Sequence, residues 1–109
     1  MSMNVGDFFE GSFEVANVVG SSSDGGSKAQ FWSEHTGCDF YKQNCGILGC
    51  GQAAEVGGHM YVKSMRKFCF ILPICKKCNK DPELDYPGFA PTKANVKVVA
   101  RNMTDDMYE

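Results

Sequence analysis

The chain has 109 residues, 43% of them hydrophobic, and a formal net charge of −2. This length bounds it to one small domain whose apolar core alone would be marginally stable. No apolar run approaches membrane-spanning length, and the start Met1-Ser-Met-Asn-Val-Gly-Asp7 lacks the basic and apolar regions of a signal peptide, so the expected setting is the cytoplasm, with no membrane partner.

Phe8 to Val19 carries Phe13, Val15 and Val19 in partial alternation and predicts one or two short strands. The run Gly20-Ser-Ser-Ser-Asp-Gly-Gly-Ser27 reads as a flexible loop. Ser27 suits a helix N-cap, and Lys28 to His35 predicts a short helix stopped by Gly37, with Phe31 and His35 on one face and Trp32 beside them, the aromatic pair expected as core packing. Strands are predicted at His59–Lys63 and Phe68–Leu72, joined by Ser64-Met-Arg-Lys67. In the first of these His59, Tyr61 and Lys63 point one way and Met60 and Val62 the other. Pro73 is expected to end the second strand, and a helical turn follows that cannot run past Asp81-Pro82. Tyr86-Pro87-Gly88 and Ala90-Pro91 mark an extended loop, Asn95 to Arg101 a last strand, and residues 102–109 a frayed end.

The most informative feature is two cysteine pairs, Cys45-Gly-Ile-Leu-Gly-Cys50 and Cys75-Lys-Lys-Cys78. In a reducing compartment such pairs hold metal more often than they form disulfides. Each can bend a turn around one ion, and a tetrahedral site of Cys45, Cys50, Cys75 and Cys78 is closed and structural, the ion being zinc. His59 in Gly57-Gly58-His59 leaves a Cys₃His site open as the alternative. Cys38 and Cys69 are read as buried or half-buried thiols. Metal binding would supply folding energy that a core of this size lacks.

Charge is polarised along the chain. Val56 to Lys80 has no acidic residue but holds Lys63, Arg66, Lys67, Lys76, Lys77 and Lys80, whereas Asp81 to Glu109 is acidic. The basic segment reads either as a surface for DNA, RNA or a protein partner, or as a solvated hairpin tip whose lysines offset thiolate charge. The chain therefore divides into N-terminal strands, loop and short helix (1–44), a zinc module (45–80), and a loop, strand and acidic tail (81–109). The expected class is α+β, with flanking antiparallel strands.

The order of cysteine turn, hairpin, cysteine turn and helix start, with Cys50-Gly-Gln-Ala-Ala-Glu-Val-Gly-Gly-His59 and Ile71-Leu-Pro-Ile-Cys75-Lys-Lys-Cys78-Asn79-Lys80, resembles the zinc-stapled, treble-clef branch of the HNH nucleases over residues 45–80. The resemblance implies that His59 would be the general base and Asn79 the last motif position, beside a catalytic Mg²⁺ or Mn²⁺. This sequence departs from the pattern where the family has Asp and the middle Asn, which are here Gly58 and Phe70. Asp39, Glu55 or Asp81 would have to supply the missing oxygen donors. Two functions stand: a non-catalytic zinc module that binds a partner, and a divergent endonuclease using His59.

Overall fold

The computed structural model describes residues 3–19 and 27–103. The strands are β1 (Phe8–Gly11), β2 (Glu14–Asn17), β3 (Val56–Val62), β4 (Phe68–Ile74), β5 (Ala90–Pro91) and β6 (Val96–Met103); the helices are α1 (Ser27–Thr36) and the single turn α2 (Lys76–Asn79). All six strands join one sheet in the order β1-β6-β4-β3-β2-β5, and every neighbouring pair is antiparallel. The class is α+β with few helices.

Connectivity forces this sheet to curl. Gly11 and Glu14 are joined by only Ser12 and Phe13, a reach of about 11 Å at most. In the sheet order, however, β1 and β2 are separated by β6, β4 and β3, which in a flat sheet is a span of about 19 Å. The sheet therefore bends until its two sides approach. Thr92, just after β5, fastens the connection: its Oγ1 accepts from the backbone N–H of Phe13 at 2.9 Å, and its own N–H donates to the Phe13 carbonyl at 2.7 Å.

The curl encloses one apolar face and α1 covers the other. On the inner face Val15, Met60, Val62, Phe70, Leu72, Ile74, Val98 and Ala100 are all fully buried. On the outer face Ile71 and Val99 pack against Ala29 and Trp32 of α1 and against Phe40. Both faces of β4 are covered, so all seven of its residues are buried and its sequence is almost continuously apolar. Met60 and Val62 lie inward, as the alternation of β3 predicts. Gly57 lets the start of α1 settle directly on β3, since a Cβ there would lie 2.8 Å from the Lys28 Cβ. Gly37, at φ +73, ends α1 with its N–H bonded to the Ser33 carbonyl at 2.9 Å.

Several expectations change. Ala90–Pro91, expected as loop, forms β5 beside β2, and the strand expected at His59–Lys63 spans Val56–Val62. Pro73 does not end β4, because it lies within the strand opposite Gly57. In a strand the N and O of one residue point to the same side, and the Pro73 carbonyl turns outward to accept from the Gly46 N–H at 2.8 Å. Its missing donor therefore costs no bond to β3. The last strand also runs beyond Arg101. Asn102 pairs with Cys69 after a bulge that leaves Arg101 as the extra residue. Arg101 then stacks on Phe31 of α1, 4.6 Å from the ring centre. The Gly/Ser run at 20–26 and the tail at 104–109 lie outside the described residues.

Candidate metal centre

Four thiols converge at the end of the curled sheet where β4 meets α2. The loop between Phe40 and β3 folds back on itself through an antiparallel bridge of Asn44 and Ala53, with the Cys45 N–H donating to the Gln52 carbonyl at 2.9 Å. Inside it the Cys50 N–H closes a turn onto the Ile47 carbonyl at 3.1 Å, and Gly49 takes φ +85. The Gly46–Pro73 bond docks this loop against β4 two residues before Cys75. A side chain at Gly46 would press on that carbonyl, its Cβ coming within 3.2 Å.

The second pair is built by helix capping. Cys75 is the N-cap of α2, and its sulfur accepts from the Cys78 N–H at 3.4 Å. Glu55 adds a second cap by accepting from the Lys76 N–H at 3.0 Å. Asn17 of β2 donates to the Cys78 carbonyl at 3.2 Å, tying the far end of the turn to the sheet.

The sulfurs of Cys45, Cys50, Cys75 and Cys78 all lie within 4.8 Å of one another. All four thiols are free, and the Cys50–Cys75 separation of 3.7 Å is far beyond a disulfide bond. It does match the edge of a tetrahedron, since bonds of about 2.3 Å from a central zinc ion set its sulfurs about 3.8 Å apart. The cluster can thus coordinate a metal ion such as zinc. Among the described residues no histidine or carboxylate completes the group. Without a cation, burial pushes the Cys45 and Cys78 thiols up from their ordinary value, most strongly at Cys78, where the neighbouring Cys75 sulfur adds to the effect. The Gln52 N–H pulls the Cys50 thiol down, while the Ile47 and Cys75 N–H groups partly offset burial at Cys45. Backbone donors aimed at sulfur are what a set of thiolates around a cation requires.

No family model, curated protein or solved structure matches this chain.

The remaining candidate residues scatter. His59 pairs with Ile71 and stands on the α1 face of β3, whereas the cysteines pack with the inner core. Its Nε2 is 3.4 Å from the Asn102 amide. Gly58 points inward, where any Cβ would strike Ile74, and Phe70 is fully buried. The positions that would align with the Asp and middle Asn of the HNH pattern are therefore core positions here. Asn79 closes α2, its N–H on the Cys75 carbonyl at 3.0 Å. The three carboxylates considered as oxygen donors are employed as caps: Glu55 on α2, Asp39 on the turn Phe40–Lys42, and Asp81 on the turn Pro82–Leu84.

The basic residues form two groups. Lys63, Arg66 and Lys67 are exposed at the β3–β4 turn, and Lys76 and Lys77 are exposed on α2, at the other end of β4 and so about 20 Å away along the strand. Sequence reasoning missed what surrounds the first group. Tyr61, Tyr86 and Phe89 form a ring cluster with centroid separations of 4.9 and 5.8 Å. Arg66 donates to the Tyr86 hydroxyl at 3.3 Å, and the Lys63 ammonium lies 5.9 Å from the Phe89 ring centre. The Tyr86-Pro87-Gly88 turn was legible as a loop, but nothing local marks its rings as partners of β3.

Proposed function

We propose that this chain is a zinc-stapled binding module, with Cys45, Cys50, Cys75 and Cys78 holding one structural Zn²⁺ and the β3–β4 turn contacting nucleic acid. The observation that carries the reading is the group of four sulfurs within 4.8 Å of one another, with Cys50 and Cys75 at 3.7 Å, the edge of a zinc tetrahedron. In it the Cys45–Cys50 loop, the β3–β4 hairpin and α2 serve as a treble-clef core, with the zinc closed off by four thiolates and no position left for a reacting group. Zinc supplies the cross-link between two turns distant in sequence, and the chain supplies the donors that hold the thiolates. Six free thiols suit a reducing compartment such as the cytoplasm.

Lys63, Arg66 and Lys67 beside Tyr86 and Phe89 combine cations with partly exposed rings, the pairing that single-stranded nucleic acid uses for phosphate contact and base stacking. Lys76 and Lys77 lie beside the thiolates and fit the other role, offsetting their charge. A protein partner at the same turn is the competing occupant. An HNH-type endonuclease with His59 as base and Asn79 beside a Mg²⁺ or Mn²⁺ ion has less support, because Gly58 and Phe70 face the core and His59 lies on the α1 side.

Metal content per chain and oligonucleotide anisotropy test the reading. We expect one zinc per chain, lost in Cys75→Ser and retained in His59→Ala. Binding to a fluorescent single-stranded oligonucleotide should weaken with salt and with Lys63→Ala and Lys67→Ala. Metal without oligonucleotide binding would transfer the turn to a protein partner, and plasmid nicking with Mg²⁺ that disappears in His59→Ala would restore the nuclease.

A further inference from the structure

A further thiol, not one of the four clustered sulfurs, lines a cleft that Cys45 also borders. Cys38 sits in the turn after α1, half-buried, with its N–H bonded to Thr36 Oγ1 at 3.2 Å. Its sulfur meets an amine: Lys97 Nζ of β6 donates to Cys38 Sγ at 3.0 Å.

Several features hold Lys97 in place. Register sets Glu10 of β1 directly opposite it, and the Phe8 ring centre is 5.9 Å from the ammonium. Trp32 Nε1 donates to the Lys97 carbonyl at 2.8 Å and so fixes the backbone beneath α1. The bond to Cys38, with a smaller contribution from Glu10, pushes Lys97 above its ordinary pKa and keeps it charged. A cleft of about 340 Å³ opens beside the pair, lined by Cys38, Lys97, Glu10, Trp32 and Lys93 among others, and also by Cys45 of the thiol cluster. With about 30 Å³ per water, this is room enough for a small polar reagent. The sulfur thus has a route of access and a proton donor in contact with it, whereas Cys69 is buried within β4.

We propose that Cys38 and Lys97 form a peroxide-sensing pair that closes into a reversible sulfur–nitrogen cross-link. The thiolate is the nucleophile. It attacks one oxygen of hydrogen peroxide; an S–O bond forms, the O–O bond breaks, and the departing hydroxide takes a proton from the Lys97 ammonium. Sulfur is oxidised by two electrons to the sulfenic acid, and peroxide is reduced to one water plus the oxygen retained on sulfur. Lys97 is now a neutral amine already in contact with that sulfur. It displaces the hydroxyl group, an S–N bond forms, and the hydroxyl leaves with an amine proton as a second water. One thiolate, one ammonium and one peroxide thus give one sulfenamide and two waters. The product staples the turn after α1 to β6, and thiols reverse it. Neither residue is one of the four clustered thiols, and the pair's own contact does not depend on the metal reading.

Peptide mapping of the full chain, as purified, after brief treatment with hydrogen peroxide tests the pair. We expect a peptide joined between Cys38 and Lys97, lighter than its unlinked parts by two hydrogens and lost on treatment with dithiothreitol. It should form at least roughly tenfold faster than any oxidation of Cys69. Lys97→Arg retains a cation but offers no lysine amine, so Cys38 should stop at a sulfenic acid that dimedone traps. A wild-type map with Cys38 oxidised but unlinked, or with Cys69 oxidised first, overturns the proposal without recourse to any variant. A loss of two hydrogens that persists at Cys38 in Lys97→Arg overturns it as well.

Discussion

The β3–β4 hairpin has two ends of opposite character. At the cysteine end the backbone is almost fully committed: Gly46 docks on Pro73, Cys75 and Glu55 cap α2, and Asn17 holds the Cys78 carbonyl. At the turn end Lys63, Ser64, Arg66 and Lys67 are exposed, and order comes from rings packed beneath them. The same two strands thus run from an end where hydrogen bonds from distant parts of the chain fix the backbone to an end where polar side chains face solvent. If the four thiols hold a metal, stability should concentrate at the cysteine end.

Removing a ligand should expose this asymmetry most strongly. Structural zinc sites contribute on the order of 10 kcal/mol of apparent binding energy, comparable with the whole stability of a small domain. Cys75→Ser, or chelation of the wild type, should therefore abolish cooperative thermal unfolding, read by circular dichroism. Acid should act in the same direction, because protons compete with the cation for thiolate; metal release, followed with a chromogenic chelator, should grow as pH falls.

Next in size is the inward face of β3. A Cβ at Gly58 would strike Ile74, which is fully buried and can turn only by disturbing its neighbours. Gly58→Ala should cost about 1–3 kcal/mol in urea unfolding, as overpacking does. Gly58→Asp, which would introduce the residue that the HNH pattern has there, should cost more because it buries a carboxylate among Ile74 and Met60. If Gly58→Asp instead left stability unchanged and bound a second divalent ion, the inward placement of residue 58 would be wrong.

These sites also mark what the sequence could and could not reveal. The cysteine pairs, the helix ended by Gly37 and the alternation of Met60 and Val62 are local signals, and each is visible in the fold. Pro73 misled because a proline reads as a strand end unless the side its nitrogen faces is known, and that side is set by Gly46, far away in sequence. The two-residue strand Ala90–Pro91 has no pattern of its own and exists only through Val15 and Glu14. The curl of the sheet was implicit in the two-residue link between β1 and β2, but only once the strand order was known. The contacts of Tyr86 with Tyr61 and of Cys38 with Lys97 are long-range pairings that no spacing encodes.

The smallest expected effects distinguish the two ends most directly. Glu55→Ala removes a cap on α2 and should cost about 1 kcal/mol, since one helix-terminal N–H loses its acceptor. Lys63→Ala with Lys67→Ala removes two exposed cations and should move stability by less than about 0.5 kcal/mol, the range of surface substitutions. The same double variant should nonetheless give the larger change in salt-dependent oligonucleotide binding, because phosphate contacts release counterions whatever their share in folding. Glu55→Ala should show the reverse pattern, with a measurable loss in urea unfolding and unaltered binding. Equal effects of both variants in both assays would mean that the two ends of the hairpin are energetically one unit, and the division of labour between them would fail.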